Sequence, residues 1–157
     1  MRIYRFSEPV CGDIYRSLLD YASTECAFAS LVVRRQSDLG SAGHQLIAHL
    51  ADNLNVIENQ SEWPGTKIMD ASATVYEIKL SAEVLERLKI VANCMHDWIM
   101  PDLPEDLAFL RADKTAWLAS ISHEDEAWLK LDEDEERLLR SSAPSWTSLL
   151  SGWGEAT

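Results

Sequence analysis

An α+β fold is what the sequence predicts: one domain whose mostly antiparallel sheet of about five strands packs with three main helices and a C-terminal helical tail. Three observations lead there. Short apolar runs, some β-branched and some alternating, recur near 27–33, 74–80, 107–110 and 116–121, as strands require. Apolar residues fall at helical spacing within 13–24, 41–54 and 81–99. Turn chemistry at Trp63-Pro64-Gly65-Thr66 and Ala112-Asp113-Lys114-Thr115 separates the runs. At 157 residues, 46% of them hydrophobic, the chain can bury a core without a metal or disulfide. Neither an internal repeat nor a low-complexity linker divides it, so residues 1–142 are read as the domain and 143–157 as the tail.

In chain order, Ile3, Tyr4 and Phe6 alternate with arginines and predict a short edge strand. Asp13 is placed to cap a helix carrying Ile14, Leu18, Tyr21 and Ala22 on one stripe. The run 27–33 is apolar on both faces and predicts an interior strand. Ser41 caps a second helix with Ile47, Leu50, Ala51 and Leu54 in line, after which a polar loop runs to Trp63. In 74–80, Tyr76, Ile78 and Leu80 alternate with Val75, Glu77 and Lys79, a half-buried strand. Ser81 caps the longest helix, expected to run to about residue 99 and to be closed by Pro101 and Pro104.

A hairpin follows, then a short strand at 127–131. Asp132 and Glu135 have capping-box spacing at the start of a further helix, with acids in its first turn and Arg137 and Arg140 near its end. In the tail, Pro144 suits a first helical position, and Trp146, Leu149, Leu150 and Trp153 share one face. That face either docks on its own domain or binds a partner helix-in-groove.

The stretch 98–124 is the organising one. Leu103-Pro104-Glu105-Asp106-Leu107, Arg111-Ala112-Asp113, Trp117-Leu118 and Ser122-His123-Glu124, together with the earlier Trp63-Pro64-Gly65-Thr66, resemble a family of small uncharacterised bacterial proteins. The resemblance spans residues 63–131 and implies no activity, so no functional residue is carried over from it.

Charge narrows the function. The net charge is −12, and residues 101–140 hold twelve acidic side chains against five basic ones. Such a field repels nucleic acid and anionic membranes and speeds encounter with a basic partner. No apolar run approaches a membrane span, and the N-terminal residues lack the apolar core of a signal peptide, so a cytoplasmic protein is expected. Cys11, Cys26 and Cys94 are then expected as reduced, mostly buried thiols.

Catalytic and metal signatures are not found. His123-Glu124 lacks the second histidine of a zinc-protease motif, its place being taken by Ala127. His44 and His49 lie about 140° apart on a helix, and Cys94-Met95-His96 does not put both ligands on one helical face. No metal or cofactor is therefore expected. Glu105, Asp106 and His123 could meet if the hairpin folds back, which would make either a structural corner or the acid–base pair of a small hydrolase.

The leading expectation is a protein-binding module of the immunity or antitoxin type, not an enzyme, neutralising a basic toxin or enzyme. Its binding residues are read as Glu124, Asp125, Glu126, Trp128, Asp132, Glu133 and Asp134, with Trp146, Leu149, Leu150 and Trp153 from the tail. Mimicry of DNA is a variant of that reading. An assembly subunit attached through the tail is the alternative, and self-association is compatible with either.

Overall fold

The computed structural model describes residues 1–155; Ala156 and Thr157, the last two residues of the expected tail, lie outside the described residues. The elements are β1 (Arg2–Arg5), α1 (Asp13–Glu25), β2 (Phe28–Val33), α2 (Ser41–His49), β3 (Leu54–Gln60), β4 (Glu62–Trp63) and β5 (Thr66–Lys67). β6 (Ala73–Lys79), α3 (Ala82–Val91), β7 (Glu105–Leu110), β8 (Ala116–Ile121), β9 (Glu126–Leu131) and α4 (Glu133–Ser142) complete the order. The fold is α+β, with seven strands in one antiparallel sheet, ordered β1-β9-β8-β7-β2-β6-β3, and a separate β4–β5 hairpin.

The sheet is larger than the expected five strands because β3 is a strand where the sequence reads as helix end and loop. Leu54 starts it, and Asn55, Glu58, Asn59 and Gln60 give it the polar character of an edge. β2 lies inside, between β6 and β7, which accounts for its near-continuous apolar sequence.

One face of the sheet holds the main core. Leu18, Leu19 and Ala22 of α1 and Val84 and Leu88 of α3 bury against Ala29, Leu31, Ile78, Phe109, Leu118 and Leu129 of the strands. The Tyr15 hydroxyl donates to the Leu88 carbonyl at 2.6 Å and accepts from Trp98 Nε1 at 3.1 Å, tying both helices to the chain that enters β7. The opposite face carries smaller apolar groups, among them Val32, Val75, Ala108 and Ala119, and is covered in part by the β4–β5 hairpin.

Helix boundaries follow local chemistry. Ser81 caps α3 by accepting from Val84 N at 3.2 Å, and Asp132 and Glu135 form the reciprocal capping box of α4. Gly12 and Gly40, rather than Asp13 and Ser41, occupy the caps of α1 and α2. α3 stops at Val91, well short of 99. The Asp97 carboxylate accepts from Asn93 N and Cys94 N at 2.9 and 2.8 Å, which turns the chain long before the prolines.

Cys11 and Cys94 form a disulfide across a two-residue antiparallel bridge, correcting the expectation of three reduced thiols. Their separation of 83 residues gives spacing rules nothing to work with. Cys26 is the free, buried one. No helix among the described residues is long and apolar enough to cross a membrane.

The tail is not one amphipathic helix. It forms two short 3₁₀ turns, Ser145–Leu149 and Trp153–Glu155, and it docks on its own domain. Trp146 is 0% exposed, packed edge-on against Tyr21 at 5.5 Å and Trp117 at 6.3 Å. Ser7 N donates to Leu149 O and Ser151 N to Arg5 O, both at 2.8 Å, so the tail closes the outer side of the chain at β1. Trp153 lies against Tyr4 and beneath the Arg140 guanidinium, 4.0 Å from its ring centre. Trp146→Ala should therefore lower the unfolding free energy by about 3–5 kcal/mol in a denaturant titration, as a core tryptophan does. A value near zero would mean the tail is not part of the core.

Candidate functional site

The corner expected from Glu105, Asp106 and His123 does assemble, and a bulge builds it. In the β2–β7 pairing Ser30 faces Ala108 and Val32 faces Glu105, so Asp106 and Leu107 together stand opposite Leu31. Asp106 takes a left-handed backbone, φ 56°, which Asp tolerates better than most residues. Regular pleating would send neighbours to opposite faces. Here both carboxylates reach groups around Trp63.

Glu105, its side chain 3% exposed, accepts from Arg34 Nε at 2.9 Å and bonds His123 Nε2 at 2.9 Å. Asp106 accepts from Trp63 Nε1 at 2.9 Å and from Ser122 N at 3.0 Å, while its own N–H donates to Trp98 O. The Arg34 guanidinium lies 5.1 Å over the Trp63 ring. Burial holds the Asp106 carboxyl above its ordinary range, opposed by the two donated hydrogen bonds. Every oxygen of the two carboxylates has a protein partner, so the cluster works as a clamp on the β4–β5 hairpin.

That hairpin is held from its tip as well. Gly65, φ +84°, sits where a Cβ would come within 2.2 Å of the Trp128 ring, so only glycine fits this approach. Trp63, clamped below, becomes one wall of a groove of about 410 Å³ on the helix-free face of the sheet. Register places Val56 opposite Glu77 and Glu58 opposite Val75, and Ser30 opposite Glu77, so these side chains share one face. Glu58 and Glu62 are exposed on the walls, and Glu77 pairs with Lys114. Ser30, 2% exposed, lines the floor, and its hydroxyl has no hydrogen-bond partner in the protein.

The acidic residues singled out from sequence fall elsewhere, in two groups. Glu124, Asp125 and Glu126 sit at one end of β9 and Asp132, Glu133 and Asp134 at the other, roughly 20 Å apart along a six-residue strand. Within these groups Glu126 is paired with Arg5 and Asp134 with Arg137, and Asp132 is committed to its cap. Trp128 is half-buried beneath Gly65, Trp146 and Leu150 are buried in the domain, and Leu149 and Trp153 are partly covered. The residues that sequence reasoning passed over, Ser30, Glu58, Glu62, Trp63 and Glu77, carried one usable signal: the period-two Val56, Glu58 and Gln60 of a strand.

No family model matches the chain, and neither a curated protein nor a solved structure does. Of the motif residues within 63–131, Trp63, Gly65, Glu105, Asp106 and His123 all hold the hairpin or its clamp.

Asp106→Asn keeps the backbone preference but leaves one buried donor without an acceptor, and should cost about 1–3 kcal/mol in chemical unfolding. A pH signature accompanies it. The folded carboxyl binds its proton more tightly than the unfolded one, so the Asp106 contribution to stability falls as pH rises from the ordinary value of 3.8 through the raised one. The stability difference between the native chain and Asp106→Asn should shrink across that window; a difference that grows would contradict the burial assignment.

Proposed function

We propose that the chain is a protein-binding module of the immunity or antitoxin kind, which neutralises a basic toxin or enzyme by direct contact. The groove beneath Trp63 carries this reading. A partner lysine or arginine entering it would meet the exposed carboxylates Glu58 and Glu62 at its walls, with its aliphatic stem against Val56 and Val75. The net charge of −12 supplies long-range attraction for the same kind of partner. Fixed walls favour such a role, because a groove held open by a clamp has little ordering left to lose on binding. The hydrolase reading has less support: Glu105 and Asp106 are fully engaged, and His123 reaches outward, 51% exposed, from a cluster that does not line the groove.

The test is affinity capture of the tagged chain from its host, with three further requirements. The captured protein should be basic and stoichiometric, should dissociate as salt is raised, and should be inhibited by the purified chain in a growth or activity assay. Glu58→Lys with Glu62→Lys should abolish capture, whereas Glu133→Lys with Asp134→Lys on α4 should leave it within about threefold. Capture that survives reversal of the groove, or that yields only acidic proteins insensitive to salt, would overturn the proposal.

A further inference from the structure

Away from the groove, the turn after α3 gathers three metal-binding atoms. Cys11 Sγ, Cys94 Sγ and a ring nitrogen of His96 all lie within 4.8 Å of one another, each residue partly exposed. Helical spacing argues against Cys94 and His96 acting together, but Cys94 is not helical. Its backbone is extended, φ −135° and ψ 155°, just ahead of the 3₁₀ turn Met95–Asp97, so side chains two apart can lie on one side.

Hydrogen bonds frame the sulfurs in addition to the bond between them. Gly12 N donates to Asn93 O at 2.8 Å and Met95 N to Val10 O at 3.0 Å, flanking the pair on both sides. Asp97 fixes the amides of Asn93 and Cys94. Asn93 Nδ2 approaches Cys94 Sγ at 3.8 Å, the kind of outer contact that steadies a thiolate ligand. His96 also lines a cavity of about 270 Å³ with Glu8, Asp125 and Glu126, so its ring borders open space as well as the sulfurs.

We propose that Cys11, Cys94 and His96 are a thiol-dependent zinc site, closed while the disulfide is intact and opened by reduction. The chemistry balances in two steps. Two reductant thiols supply two electrons and two protons to the S–S bond and become a disulfide, or a phosphine supplies the electrons and becomes its oxide, water giving the oxygen and the two protons; either way the bond becomes two thiols. Zinc(II) then displaces the two thiol protons and forms two Zn–S bonds, the neutral imidazole and a water completing a tetrahedral set. Two soft thiolates and one imidazole suit Zn(II) rather than Mg(II) or Ca(II). The buried Cys26 thiol, pushed up to about 12 by desolvation, is no competitor for the ion.

The experiment uses the full chain, reduced with a phosphine and dialysed against zinc, with metal counted per chain and cobalt(II) as the spectroscopic probe. Reduced protein should bind one zinc and show a thiolate-to-cobalt charge-transfer band; oxidised protein should show neither. Cys94→Ser should lose both. Because that variant also loses the disulfide, His96→Ala, which keeps it, is the decisive partner, and its zinc affinity should fall by at least about tenfold. Cys26→Ala should bind as the native chain does. Zinc binding by the oxidised chain at equal affinity, no binding by the reduced one, or full affinity in His96→Ala would each overturn the assignment.

Discussion

The buried Asp106 carboxylate joins the β4–β5 hairpin, the end of β8 and the chain entering β7. It receives the indole N–H of Trp63 from the hairpin and the amide of Ser122 from the end of β8, while its own amide reaches Trp98 O. Four separate pieces of chain meet at one residue. A carboxylate removed from water is tolerable only when its oxygens are satisfied, and here each oxygen has one donor. Glu105 beside it does the same for Arg34 and His123. The bulge in β7 exists, in physical terms, to let two adjacent acids serve one side.

The two faces of the sheet are finished differently as a result. Helices α1 and α3 bury one face with large side chains, and Trp98, Trp117 and Trp146 fill the wide gaps left between them. The other face has small residues and a single hairpin, so the groove is simply the part of the sheet that the hairpin does not reach. Its depth is set by Trp63 on one side and its floor by Ser30. Rigidity there comes from polar bonds below rather than from apolar packing above.

Much of this was legible in the sequence wherever the deciding interaction is local. The Ser81 cap, the Asp132–Glu135 box, the Pro64-Gly65 turn and the strands 74–80 and 116–121 each rest on neighbours within a few residues. The end of α3 was not legible, because it is made by Asp97 reaching back to Asn93 and Cys94 after a helical pattern that continues past it. β3 was not either: its polar residues make sense only once it is known to be an edge. Glu105 and His123 were correctly brought together, yet Arg34 and Trp63, 71 and 43 residues from their acids, enter only through tertiary pairing. The tail shows the same limit. Its apolar stripe is genuine, but Pro144 and two glycines leave too few residues for a stable helix, and the docked 3₁₀ turns satisfy the stripe instead.

The pairing of β1 with β9 also sets a schedule. Arg2 lies opposite Leu131 and Arg5 opposite Trp128, so the first strand has no partner until nearly the whole domain has been translated. At about 5–20 residues per second it waits on the order of 6–25 s. During that time the centre of the sheet, β2 with β6 and β7, can already be forming, and α1 must find α3 before β1 finds anything. Contacts so distant in sequence fold slowly. The arginines at both ends of β1, Arg2 and Arg5, keep that waiting segment charged and hydrated, which is what an unpaired strand needs if it is not to find a second nascent chain first.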